Sequence, residues 1–231
     1  MQNVHALPSN ENSENTKSAS LTERLVDAIV AGTIRPGSKI SEPELAKRYQ
    51  VSRGPLREAI MRLEGLGLIE RTPHVGATVV EFNVDRLIEL YDVRESLEGM
   101  AARLAATHIT ADQLSALEAL IEQHSAYLNQ SAATSKTYAA QEGDYDFHYQ
   151  IIQASGNQKL ISLLCDELYH LIRMYRHQSR TARTDPATAL QEHRFILEAI
   201  RNRDPELAEM LMRRHISGSR KLIEKQLRPT A

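Results

Sequence analysis

From residue 84 to residue 228 the apolar side chains return at helical spacing, and only cap and turn signals interrupt them. A chain patterned this way buries its apolar stripes by packing helix on helix. The first stretch, 84–107, carries Leu87, Leu90, Val93, Leu97, Met100, Ala101 and Leu104. Thr110-Ala111-Asp112-Gln113 is a capping box that opens a helix over 111–129. A polar Ser/Ala/Thr stretch, 130–135, reads as a loop. A helix over 137–154 stops at Ser155-Gly156-Asn157, and another is expected over 158–180. Asp185-Pro186 and Asp204-Pro205 each pair an N-cap with proline at the first helical position, opening helices of 186–202 and 205–226. The expectation for 84–228 is an all-α bundle of six to seven helices, making the protein mainly α.

The preceding segment follows different rules. Residues 1–17 are rich in Asn, Ser, Glu and Gln and read as a disordered tail. A head domain is expected over 18–81. Ser20-Leu21-Thr22-Glu23 reads as a capping box for a first helix, and Ser41-Glu42-Pro43-Glu44 as the start of a short second one, 42–49. Ser52 is placed to cap a third, 53–66, whose stripe is Leu56, Ile60, Leu63 and Leu66. Leu68–Arg71 and Ala77–Val80 are strand-like, joined by the turn Thr72-Pro73-His74-Val75-Gly76. Three helices and a two-stranded hairpin make a winged helix-turn-helix.

Overall charge is close to balanced, at −2, but residues 47–62 hold five basic side chains (Lys47, Arg48, Arg53, Arg57, Arg62) against the single acid Glu58. A basic patch on a near-neutral protein points to a polyanion. In a helix-turn-helix the third helix enters the major groove by its N-terminal residues, here Arg53, Gly54 and Arg57. Arginine pairs in bidentate fashion with guanine O6 and N7. Ser52 leaves helix-start amides facing outward, where a phosphate oxygen sits well. Lys47, Arg48 and Arg62 suit phosphates, Gly76 would let the wing approach the backbone, and His74 would add a polar contact there. The plainer alternative is that Arg53 and Arg57 form a solvated helix face.

The pieces Pro36-Gly37-Ser38-Lys39-Ile40-Ser41-Glu42, Glu44-Leu45-Ala46, Val51-Ser52-Arg53-Gly54-Pro55-Leu56-Arg57-Glu58-Ala59, Arg62-Leu63 and Gly67-Leu68-Ile69 resemble the DNA-binding domain of GntR-type regulators. The resemblance implies that Arg53, Arg57 and Gly76 contact DNA. Some members carry a further arginine where this chain has Pro43, so that base contact is absent and the operator is expected to differ there.

In the bundle, Asp144 and His148 stand four residues apart on one helix face, and His193 and His215 come from two other helices. A carboxylate and imidazoles from facing helices are how bundles build metal sites. The same four residues could equally be satisfied one by one. Three imidazoles and a carboxylate suit Zn²⁺, Ni²⁺ or Mn²⁺ with positions left open. Asp92-Val93-Arg94-Glu95-Ser96-Leu97-Glu98, Asp144-Tyr145-Asp146-Phe147-His148, Ala154-Ser155-Gly156-Asn157, His193 to Ile200 and His215 resemble the FCD effector domain of the FadR subfamily. That resemblance implies Asp144, His148, His193 and His215 as ligands of a divalent metal that helps bind a small organic acid. It also places Arg94 near the acid; the alternative for Arg94 is an i,i+4 pair with Glu98. Arg53 to Ile60, Pro73 to Ala77, Arg94 to Ala101 and Cys165 to Leu171 are similar to the branch associated with propionate and methylcitrate-cycle genes. This implies 2-methylcitrate or a related carboxylate as effector.

The sequence reading is therefore a homodimeric regulator, a repressor, on a short palindromic double-stranded operator, since two-fold protein symmetry maps onto two-fold DNA symmetry. No apolar run is long enough to span a bilayer, no signal peptide is visible, and one cysteine, Cys165, excludes a disulfide framework. A cytoplasmic, nucleoid-associated protein without membrane partners is expected. Nothing stands out as a general base or nucleophile, so no enzyme activity is expected and no catalytic residue is assigned.

Overall fold

The computed structural model describes residues 11–74, 76–130, 143–178 and 185–228; the side chains of 11–19, Gln130, 143–146, Arg176 and Gln178 lie outside that description. The expected loop at 130–135 and the start of the 137–154 helix fall on residues that are not described. The chain divides into two compact units, residues 1–82 and 83–231.

The first unit holds α1 (Glu11–Val30), α2 (Glu42–Tyr49), α3 (Arg53–Gly65), β1 (Ile69–Thr72) and β2 (Gly76–Val79). Helix α1 begins nine residues ahead of the Ser20 box, so residues 11–17, expected as tail, are helical and Ser20 is interior. No proline or glycine lies between 11 and 20 to stop the helix, and Glu11 and Glu14 suit a helix start. Leu21, Leu25 and Ile29 of α1 and Leu56, Ile60 and Leu63 of α3 are buried, and α1 packs on α3. Helix α2 ends at Gln50, which takes the left-handed conformation (φ 54°) and turns the chain toward α3. The strands pair antiparallel with Ile69 opposite Val79 and Thr72 opposite Gly76. The sheet is wider than the hairpin expected. Lys39 bridges Thr78, Ile40 donates to the Ala77 carbonyl at 2.8 Å and Val79 to that of Ser38 at 3.0 Å, so residues 38–40 line the free edge of β2.

The second unit holds α4 (Val84–His108), α5 (Ala111–Gln130), α6 (Gly143–Ala154), α7 (Gln158–Ile161), α8 (Tyr169–Gln178), α9 (Pro186–Arg201) and α10 (Pro205–Leu227). The cap signals of this unit act as read, unlike Ser41 at the start of α2, whose side chain makes no capping bond. Thr110 and Gln113 exchange both bonds of a capping box, while Asn157, Asp185 and Asp204 accept from the amides of their first turns. Helix α4 is the axis of the bundle, packed along α10 and against α6 and α9. At Gly99 the approach of α10 is so close that a Cβ would stand 2.5 Å from Arg213 Cγ. The helix expected over 158–180 is split, because Ser162–Glu167 winds as a π-helix between α7 and α8. The Leu168 amide reaches back five residues to Leu163. Such wide turns gather at functional sites, and this one turns Leu164 and Cys165 inward. No helix among the described residues is long and apolar enough to cross a membrane.

Candidate metal centre and nucleic-acid interface

Three of the four residues singled out in the bundle meet at its centre. His148 of α6, His193 of α9 and His215 of α10 are buried, at 4%, 0% and 5% exposure. The Nε2 atom of His215 lies 3.2 Å from Nε2 of His148 and 3.3 Å from Nε2 of His193. Phe147 stacks on the His193 ring at 4.0 Å. The backbone of Asp144 belongs to α6, but its side chain is among those not described.

The outer edges of two rings are fixed by carboxylates that the sequence reading did not assign. His148 Nδ1 lies 2.6 Å from Glu98 Oε2, and His215 Nδ1 lies 2.7 Å from Glu192 Oε2. A carboxylate only accepts, so both Nδ1 atoms donate. In neutral rings the Nε2 atoms then carry lone pairs, and those of His148 and His215 face each other at 3.2 Å. Two lone pairs at that distance repel unless a cation or an extra proton stands between them. Two metal–nitrogen bonds of about 2.0–2.1 Å at a tetrahedral angle span about 3.3 Å, which is the separation found. The donor set therefore fits a divalent first-row metal, held by three Nε2 atoms with carboxylates orienting the rings.

Glu98 is itself held. Arg94 donates through Nε to Oε1 at 2.6 Å, with both side chains buried. Burial pushes the Glu98 carboxyl upward, but Arg94 and His148 outweigh it and hold it down at about 2. The i,i+4 pairing left open for Arg94 is thus present. Arg94, Glu98 and His148 also line a small cavity whose other walls are chiefly apolar, among them Ile152, Leu164 and Ile172. Cys165 lies on the same cavity, and burial pushes its thiol up to about 11, so it adds a protonated, weakly polar group to that wall. Replacing Glu98 by Gln removes the charge that orients His148. Metal affinity, measured by competition with a chromogenic chelator, is expected to fall about 10- to 100-fold. Wild-type affinity in Glu98→Gln would rule out the orienting role, and Glu192→Gln repeats the test at a more exposed site.

In the first unit, Ser52, Arg53, Gly54 and Arg57 are exposed at the start of α3. Ser52 stands at the N-cap, yet its hydroxyl makes no capping bond. Arg57 donates through Nε to Glu42 Oε2 at 3.0 Å. Arg62 does not join this group. Nine residues after Arg53, it lies about 13 Å further along the helix and about half a turn around it. His74 is exposed on the wing turn in the left-handed region (φ 64°), and Gly76 has φ 100°, a conformation that favours glycine. A Cβ on Gly76 would stand 3.4 Å from Lys39 Cε, so Lys39 reaches the wing tip, a neighbour that sequence spacing does not reveal.

Comparison with known proteins gives one consistent result. The FCD domain matches residues 89–218, and "Bacterial regulatory proteins, gntR family" matches residues 17–79. The "HTH-type transcriptional repressor RspR" of Escherichia coli (strain K12) is 29% identical over 188 residues, covering 81% of this chain and 80% of that protein. The "Probable D-xylose utilization operon transcriptional repressor" of Paenarthrobacter nicotinovorans is 30% identical over 209 residues, covering 88% and 87%. Among solved structures, that of E. coli McbR/YncC covers 91% of this chain and 98% of its own, with a TM-score of 0.71 at 20% identity, a likeness of fold.

Proposed function

The chain belongs to the GntR family of bacterial transcriptional regulators and carries an FCD domain, and from that premise we propose that it is a homodimeric repressor of a short palindromic operator, relieved or reinforced by a small organic acid bound at a divalent metal in the bundle. The observation that carries the effector half is the convergence of three imidazole Nε2 atoms, two of whose rings are tied down by Glu98 and Glu192. His148, His193 and His215 would hold zinc, nickel or manganese, with Asp144 as the fourth ligand. Such a metal supplies a positive centre that takes a carboxylate oxygen. The chain's own part is to fix the donors, exclude water, and present Arg94 on the adjoining cavity for the acid's second charge. The DNA half rests on Ser52, Arg53, Gly54 and Arg57 at the exposed start of α3, with Gly76 and His74 on the wing and Arg62 on the phosphates. Repression is supported by two relatives that carry that word in their names.

An acid that binds one bundle conformation better than another shifts the dimer between states, and DNA affinity follows by linkage. The test is fluorescence anisotropy of the full-length protein on duplex from its own upstream region, with and without 2-methylcitrate, before and after chelation. Nanomolar binding that changes with the acid only in the metal-loaded protein is the expected result. A change on chelation alone would make the metal the signal, and binding indifferent to both would overturn the effector reading.

A further inference from the structure

We propose that Glu42 is a positioning residue for DNA recognition, holding Arg57 by one edge of its guanidinium so that the opposite edge is presented to a base. The inference rests on the reading of Arg57 as a base contact. Glu42 opens α2, and Arg57 lies fifteen residues later, on the second turn of α3. The helix-turn-helix brings them together, and Arg57 Nε donates to Glu42 Oε2 at 3.0 Å. Arg57 is two-thirds exposed and Glu42 one-third, so the carboxylate sits lower on the surface, as a support.

The guanidinium is a planar fork with five N–H donors. Occupying Nε with the carboxylate leaves the outer donors free to read an acceptor pair such as guanine O6 and N7. A long exposed arginine otherwise wanders over many rotamers and loses that freedom on binding. Pro43, which follows Glu42, fixes its own φ in the first turn of α2, the turn that carries the support. An exposed ion pair contributes little to folding. An acid on a DNA-binding face also repels phosphate. Holding Arg57 in place offsets that repulsion. Arg53, four residues earlier, makes no ion pair among the described residues, so the two arginines are presented differently.

The experiment is a double-mutant cycle on the full-length protein, with anisotropy against the upstream duplex and a scrambled duplex of equal length. Glu42→Gln keeps the shape and removes the charge; thermal unfolding confirms that it folds. Operator affinity is expected to drop about 5- to 20-fold, a coupling usual for residues in contact. Scrambled-duplex affinity is expected to hold or rise. In an Arg57→Ala background the same change should cost nothing further. Tighter binding to both duplexes by one factor would show that Glu42 only repels DNA and would overturn the proposal. An equal loss with and without Arg57 would overturn it too. Should Arg57→Ala leave operator affinity intact, the base-contact reading fails and takes this one with it. If Arg57→Ala is crippled and Glu42→Gln is neutral, only the positioning role fails.

Discussion

His193→Ala is expected to empty the metal centre and silence the effector response while DNA binding itself survives. His193 is fully buried, and its Nε2 atom lies 3.3 Å from that of His215. Losing a ligand should exceed the roughly 10- to 100-fold effect of losing a supporting carboxylate. The stacked Phe147 ring would border the space left behind, so stability is expected to fall by about 1–3 kcal/mol. Metal per chain, measured by elemental analysis after dialysis, should drop to a small fraction of wild type. Operator affinity without effector should stay within a few-fold, because the residues proposed to read DNA belong to the other compact unit. The added acid should then change nothing. Full metal occupancy in the variant would remove His193 from the ligand set, and a retained acid response at zero metal would separate effector from metal. Chelated wild-type protein provides the matching control, with every side chain in place.

The two halves of the molecule are legible in the sequence to different depths. Helix starts in the bundle are plain because each is written locally. Asp185-Pro186, Asp204-Pro205 and the Thr110–Gln113 box need only their own first turns, and all three act as caps. The break at 162–167 is not legible. Leu160, Ile161, Leu164, Leu168 and Ile172 keep a helical rhythm, and a π-turn adds one residue without disturbing the apolar pattern. The start of α1 is hidden for a related reason. Ser20–Glu23 has the composition of a capping box, but composition does not say whether the chain before it is already helical.

At the candidate metal centre, spacing nominates His148, His193 and His215 because histidines on different helices are conspicuous. It does not nominate what orients them. Glu98 is visible in the sequence only as the partner of Arg94, one turn away, and the bond it makes to His148 spans fifty residues. Glu192 precedes His193 in sequence yet serves His215 on the next helix. Pairings of that kind belong to packing, which periodicity alone does not encode. The wing behaves in the same way, since Lys39 lies thirty-seven residues before Gly76 and reaches its tip through strand pairing.

Arg57→Ala is expected to abolish specific operator binding and leave the fold intact. Arg57 is exposed, and its side chain bonds across the surface to Glu42, so truncation should change stability by no more than about 0.5 kcal/mol. A bidentate arginine–guanine pair is worth about 1–3 kcal/mol of discrimination. For the proposed dimer on a palindrome the loss would be taken twice, about 2–6 kcal/mol, or roughly 30-fold to more than 10⁴-fold in affinity. Binding to a scrambled duplex depends on phosphate neutralisation and should weaken far less. The two effects separate in a salt series. Removing a base-reading arginine lowers affinity for the operator while its salt slope stays near wild type. Removing a phosphate-neutralising one weakens both duplexes together and reduces the slope by about one for each phosphate left unpaired. A parallel fall on operator and scrambled DNA would therefore make Arg57 part of a solvated basic face, with Arg53 left as the reader at the start of α3. The opposite result fixes the register of the recognition helix, because a base read by Arg57 places Arg53 and Gly54 one helical turn away along the same groove.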